Sequence, residues 1–344
     1  MEQKITAAMI AEKAGVSPAT MSRYLREGGR VRPDSAEKIE KAMKELGVTK
    51  DAPKEIAPPR REPVIVVNIP GIVNTFYNEI LRGIQTSARM HGYSVLIHES
   101  LLGGGALDTF CGLLESIGAS GVILMVSLNE AALARIRAIV PLVQCSEHNE
   151  NTDYPYVSIN DRAAARMATA HLIACGCNKV ALINSSLSCR YARHRQEGFL
   201  DAMREAENFV PQNWIVQLPE VNYALAYSAV CRLLNEDTRP NAFFAVSDIY
   251  AVAVLRAASR FRLRIPQDLM VVGFDNLDLT AMTCPSITTV SQSSYQQGYS
   301  ACELLADMIE QPELIPKPIL VDTELILRES TFPGMTGSIA ASSP

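Results

Sequence analysis

Six short runs of continuous apolar, β-rich sequence constrain the fold most: Val64–Ile69, Ser94–His98, Gly121–Val126, Lys179–Asn184, Ala242–Val246 and Met270–Phe274. Amphipathic segments of helix length separate them. A strand that is apolar on both sides must be covered on both sides, so the alternation predicts parallel sheet packed between helices, an α/β architecture. Six or more such units overfill one doubly wound sheet, which predicts two parallel sheets. Ligands in such folds sit beyond the carboxyl ends of the strands.

The pattern does not extend upstream. Residues 52–63 carry four prolines, Pro53, Pro58, Pro59 and Pro63, among lysine, arginine and glutamate, and have no apolar period. This composition reads as an extended linker. Before it, Ile39, Met43 and Leu46 follow helical spacing, and Ala11 and Ala14 line a shorter face. The predicted organisation is an all-α head over 1–50, a hinge over 51–63, a body over 64–332 and a disordered tail over 333–344, which is small and polar.

Charge follows the same division. Of 32 Lys/Arg and 37 Asp/Glu, 13 and 10 fall in residues 1–62, so the head is +3 and the remainder −8. A basic head on an acidic body is an asymmetry that suggests nucleic-acid contact. Mean hydropathy is +0.07, and no apolar run approaches the roughly 20 residues that span a bilayer. The first residues, Met1–Gly15, lack the uninterrupted apolar stretch of a secretory signal. A cytoplasmic protein with no membrane partner is expected. Eight cysteines without a CxxC pair or zinc-finger spacing are expected to be reduced thiols; no metal and no cofactor is predicted.

In residues 6–25 three local signals coincide. A short helix bearing Ala11 and Ala14 stops at Gly15, Ser17 caps a second helix, and Pro18 occupies its first position, where a missing N–H costs nothing. The second helix has small or hydroxyl side chains at Ala19, Thr20 and Ser22, followed by Arg23. Small residues let a helix enter a major groove, and arginine there bonds guanine through two N–H groups. Periodicity alone also fits a plain three-helix bundle.

The string AxxAGVSxATxSR over 11–23 closely resembles the N-terminal signature of the LacI/GalR family of transcriptional repressors. The resemblance implies a helix-turn-helix head, a hinge and a two-lobed core like that of periplasmic sugar-binding proteins. It assigns base reading to Pro18, Ala19 and Arg23, and phosphate contacts to Thr6, Thr20, Ser22, Arg26 and Arg30, with Ser17 as the cap. The hinge departs from the family's Tyr-x-Pro-Asn: here Val48-Thr49-Lys50-Asp51 stands in that place. Ile56 and Ala57 fall at the position of the minor-groove wedge. A wedge must be bulky enough to unstack a base step, so Ile56 is the substitute and the hinge helix is expected to be weakened.

The resemblance continues to about residue 332. Asn74-Thr75-Phe76-Tyr77 with Leu81-Arg82-Gly83-Ile84, His171-Leu172-Ile173, Arg195-Gln196-Glu197-Gly198-Phe199, Gly273-Phe274-Asp275-Asn276 and Glu324-Leu325-Ile326-Leu327-Arg328-Glu329-Ser330-Thr331 are similar to family motifs in this order. It implies an N-lobe of about 64–160 plus 291–319 and a C-lobe of about 161–290 plus 320–332. It also implies a homodimer on a pseudo-palindromic stretch of double-stranded DNA, and a small-molecule effector bound between the lobes. Arg195, a rigid fork of five donors, and Asp275, an acceptor-only carboxylate, suit vicinal hydroxyls. Phe76, Tyr77 and Tyr223 fall where the family places aromatic walls, and Ser127, Ser247, Asp248 and Gln292 add polar contacts.

Each residue also has a plain structural role open to it: Phe76 as lobe core, Asp248 as a helix cap, Asp275 as a loop carboxylate, His171 as packed interior. Arg190 and Arg193 either attract an anionic effector or form a solvated face. Residues 242–332 are most similar to the cytidine repressor branch, whereas Gln144-Cys145-Ser146-Glu147 differs from it. Sugar, sugar acid and nucleoside all remain candidate effectors. An enzyme would need a nucleophile or metal motif, and the chain has no GxSxG, P-loop or HExxH. Asp248 and Asp275 could be imagined as a glycosidase pair. A transport binding protein would share the two lobes but lack the basic head.

Overall fold

The computed structural model describes residues 7–26, 31–46, 63–313 and 316–332. The chain divides into two compact units, Met1–Glu62 and Pro63–Pro344.

The first unit packs α1 (Ala7–Ala14), α2 (Pro18–Arg26) and α3 (Pro33–Glu45) around Ile10, Ala11, Met21, Ile39, Ala42 and Met43. Gly15 turns the chain between α1 and α2 with φ +63°, a left-handed conformation that glycine adopts without steric cost. Ser17 Oγ accepts the Thr20 N–H at 3.1 Å and so satisfies one of the orphan donors at the start of α2.

The second unit holds two six-stranded sheets. The first runs β11 (Ile319–Val321), β5 (Tyr156–Ile159), β4 (Leu142–Cys145), β3 (Gly121–Leu124), β1 (Val64–Ile69) and β2 (Ser94–Glu99), all parallel. Alternation along β1 divides its cover. Ile65, Val67 and Ile69 pack against α4 (Tyr77–Met90) and α12 (Ser294–Glu310), while Val66 faces the cluster formed by α5 (Ala106–Ile117) and α6 (Glu130–Arg137).

The second sheet runs β12 (Glu324–Ile326), β10 (Thr288–Ser291), β9 (Met270–Asp275), β8 (Ala242–Ala245), β6 (Val180–Asn184) and β7 (Ile215–Gln217). Its helices are α7 (Asp161–Ala174), α8 (Arg190–Glu205), α9 (Tyr223–Leu234), α10 (Asp248–Arg260) and the single turn α11 (Leu279–Met282). Here expectation and structure part in one respect: β12 runs antiparallel to β10, so this sheet is not wholly parallel.

The chain crosses between the sheets three times, after β5, after β10 and between β11 and β12. The third crossing corrects the predicted lobe boundary at 319/320. Leu320 and Val321 pair with Ser158 and Ile159 of the first sheet, so the change of lobe comes after Val321.

Each lobe carries one pair of helices in backbone contact. A Cβ added at Gly83 would overlap the carbonyl oxygen of Tyr295, and one at Gly298 that of Ile80, which sets the approach of α4 to α12. In the other lobe a Cβ at Gly198 would overlap the carbonyl oxygen of Arg162, which seats α8 on α7.

Candidate functional site

In the head, Arg23 is exposed and Thr20 half-buried on α2. Pro18, Ala19, Ser22 and Arg26 are described only as backbone positions of that helix. Thr6, Arg30, Ile56 and Ala57 lie outside the described residues.

In the body a cleft of about 410 Å³ opens between the two sheets. Its walls come from the carboxyl ends of strands in both. Asn74, Phe76 and Tyr77 follow β1, and Ser146 and Glu147 follow β4. Val221 follows β7, Val246 and Ser247 follow β8, Asp275 ends β9, and Gln292 leads out of β10, with Tyr191 and Arg195 reaching in from α8. Phe76 and Tyr77 meet edge to face with centroids 5.3 Å apart.

Arg195 is buried and held on every side. Its Nε donates to Asp161 Oδ1 at 2.8 Å and its Nη1 to the Val246 carbonyl at 2.7 Å, with Asp275 Oδ1 3.8 Å away. The guanidinium carbon stands 3.5 Å above the Phe274 ring centroid, a cation–π contact. Asp275 accepts from Gln292 Nε2 at 2.6 Å and from Ser247 Oγ at 3.2 Å. Its φ is +118°, a conformation a non-glycine residue rarely keeps and one found at ligand-binding positions. Burial raises its carboxyl from 3.8 to about 6, against the opposing pull of Arg195.

Three residues expected at the effector site do not line the cleft. Asp248 is fully buried, with Oδ2 accepting the Leu277 N–H at 2.8 Å and Oδ1 the Thr289 hydroxyl at 2.6 Å. It ties α10 to the loop after β9, and burial followed by the nearby Asp275 charge raises its carboxyl well above the usual range. Nor is it a cap, since it lies one residue inside the helix that Ser247 precedes. Tyr223 is 41% exposed and stacks on Tyr227 at 6.2 Å. Ser127 is exposed, with a 3.4 Å bond to the His148 carbonyl.

Arg190 belongs to neither of the roles left open for it. It is buried, with Nη2 on Asp161 Oδ2 at 2.5 Å and on Ser158 Oγ at 3.0 Å. Asp161, itself buried, thus holds two guanidiniums. Arg193 is exposed, and its Nη1 donates to the Leu187 and Ser188 carbonyls.

Asn74, Ser146, Glu147, Tyr191, Val221 and Val246 were not foreseen as lining residues. Glu147 is the most consequential of them, because its carboxylate crosses from the first lobe to the second. Oε1 accepts the Tyr191 N–H at 2.9 Å and Oε2 the Arg190 N–H at 3.1 Å. Burial raises its carboxyl, with those two bonds and Arg190 acting in opposition. Glu150 adds a second bridge to α8, 2.9 Å from His194 Nε2. Along this edge the lobes are in direct polar contact. A signal for Glu147 was available: had Leu142–Cys145 been read as a strand, Ser146 and Glu147 would have fallen on the ligand-binding rim.

Among the described residues no group of three or more His, Cys, Asp or Glu is placed to hold a metal ion, and no helix is long and apolar enough to cross a membrane.

Residues 8–50 match the model for bacterial regulatory proteins of the lacI family, and residues 169–331 match that for a periplasmic binding protein-like domain. The HTH-type transcriptional repressor CytR of Escherichia coli strain K12 is 31% identical over 324 residues, covering 94% of this chain and 95% of that protein. The ribose operon repressor of Halalkalibacterium halodurans is also 31% identical, over 327 residues, covering 94% of this chain and 96% of its own length. A solved complex of the transcriptional regulator CelR with cellobiose superimposes with a TM-score of 0.72 at 25% identity, covering 95% of this chain and 99% of that one. With a helix-turn-helix head, two α/β lobes enclosing a polar cleft, and relatives that match along nearly the whole chain, the protein belongs to the LacI family of DNA-binding transcriptional regulators and is not an enzyme.

Proposed function

We propose that the protein is a cytoplasmic, homodimeric repressor whose affinity for a pseudo-palindromic operator is set by a small polyhydroxylated molecule held in the interlobe cleft. The cleft carries this reading. It joins Arg195 and Asp275 on one side to the Phe76 and Tyr77 rings on the other, the pairing of polar forks with aromatic faces that polyols need. Because the walls come from two lobes, an occupant that contacts both has different affinities for different lobe arrangements. Such a difference is the free energy that can be passed to the operator. A coupling of about 1–3 kcal/mol would alter operator affinity roughly 5- to 150-fold.

At the operator, Pro18, Ala19 and Arg23 read bases, while Thr6, Thr20, Ser22, Arg26 and Arg30 hold phosphates. Ile56 is the substitute wedge in an altered hinge. The two heads of a dimer then read two half-sites.

In-vitro selection of random duplex DNA with the purified full-length protein, at a stated salt concentration, tests this. A palindrome with two half-sites is expected, and its release by a sugar or nucleoside would locate the effector class. Failure to enrich any sequence, with or without candidate effectors, would refute the operator reading.

A further inference from the structure

A helix start with unsatisfied N–H groups attracts negative charge. At the mouth of the cleft, α8 begins at Arg190, and its preceding residue Cys189 makes no side-chain capping bond. The Arg190 and Tyr191 N–H groups instead go to the two oxygens of Glu147, which arrives from the opposite lobe. The position an anionic substituent would take is already filled by the chain's own carboxylate.

The remaining charge in the cleft points the same way. Arg195 is the only cationic side chain among the described residues lining it. Its Nε is committed to Asp161 and its Nη1 to the Val246 carbonyl. Asp275 supplies a second carboxylate beside it. A phosphate or carboxylate entering this space would meet two carboxylates against one guanidinium whose Nε and Nη1 are already bonded, and would exchange its hydration for a net like charge. Hydroxyl groups, by contrast, donate to carboxylates.

Resting on the effector-cleft reading above, we propose that Glu147 makes this cleft selective for uncharged polyhydroxylated ligands, unphosphorylated sugars or nucleosides, by occupying the anion position at the start of α8. Sugar acids and phosphate esters are thereby excluded as effectors.

Two measurements on the full-length protein test this. In the first, thermal unfolding is followed in inorganic phosphate and in sodium chloride of matched ionic strength. The parent should gain no more from phosphate than from chloride, while Glu147→Ala should show a phosphate-specific rise in midpoint. Equal phosphate gains in parent and variant, or none in the variant, would overturn the role of Glu147. Should the alanine variant fail to fold, Glu147→Gln removes the charge at nearly constant volume and is expected to shift in the same direction.

In the second, operator release is titrated with matched pairs: nucleosides against their 5′-monophosphates, and hexoses against their 6-phosphates. The uncharged member should act on the parent at a concentration at least tenfold lower than its phosphorylated partner, and Glu147→Ala should narrow that ratio at least tenfold. A phosphorylated member acting on the parent as well as its neutral partner would refute the selectivity. If no member of any pair alters operator binding, the effector-cleft reading fails, while the phosphate measurement still decides what Glu147 does.

Discussion

Asp161 offers the sharpest test of how the cleft is held in shape. It is 1% exposed and carries Arg190 on one oxygen and Arg195 on the other, at 2.5 and 2.8 Å. Asp161→Asn would leave two guanidiniums in a dry interior, sharing one neutral amide whose NH2 faces a donor. Breaking a buried ion pair by removing one partner costs about 3–5 kcal/mol, because the other charge stays buried and unpaired. Here Asp275, 3.8 Å from Arg195, partly offsets one of the two, so the loss should lie at about 3 kcal/mol. The chain's single tryptophan, Trp214, is buried in the core of the second lobe, and its fluorescence in urea reports the unfolding of that lobe. Arg166→Ala serves as the control, since its pair with Glu205 is about half exposed on both sides and such pairs contribute at most about 1 kcal/mol. If Asp161→Asn costs no more than Arg166→Ala, the triad is not what fixes Arg195, and the electrostatic account of the cleft is wrong.

Gly198→Ala should destabilise the second lobe by at least about 2 kcal/mol, since the new methyl overlaps backbone of α7 rather than a movable side chain; a change within about 0.5 kcal/mol, the scatter of surface substitutions, would show that the helices can part. Arg23→Ala should lose about 1–3 kcal/mol of operator affinity and relax the preference at one symmetric base pair; equal weakening on all sequences would make Arg23 a phosphate contact. The Asp275 carboxyl is raised to about 6 in the folded protein from 3.8, so the folded state holds that proton more tightly than the unfolded one. Its contribution to stability is full below about pH 4 and is lost as pH rises through 6. Asp275→Asn should therefore flatten the stability profile between pH 4 and 6.5, leaving the part due to Glu147 and Asp248, which burial raises too. A profile parallel to the parent's would contradict this.

Five of the six strands with apolar runs were legible because a strand covered on both faces has no polar period to confuse with a helix, and β2, a partly exposed edge strand, was legible from its run alone. The other three edge strands were not. Ile215–Gln217, Ile319–Val321 and Glu324–Ile326 are three residues each, with partial exposure that breaks the run. The antiparallel direction of β12 is likewise a matter of where the last crossing falls, which no local pattern encodes. At the cleft, Phe76, Tyr77, Arg195, Ser247, Asp275 and Gln292 come together at the strand ends as their positions implied. Asp248 does not, because the carboxylate of a first-turn aspartate goes wherever donors stand, and here they are a loop N–H and a strand hydroxyl in the interior. Glu147 was legible only through its place after β4, because its bonds leave no signal of their own. Its partners are backbone N–H groups more than forty residues later, and a backbone group leaves no mark on residue type.

The three crossings between the sheets bear on the order in which the chain is made. Translation supplies β1 first and β12 last, yet β11 and β12 are edge strands of different sheets. Until the ribosome has passed residue 321 the first lobe therefore leaves the β5 edge unpaired, and until it has passed residue 326 the second leaves that of β10. A message truncated before residue 319 would not yield one sound lobe and one damaged one. It would yield two open edges on a single molecule, each a template for pairing with another chain.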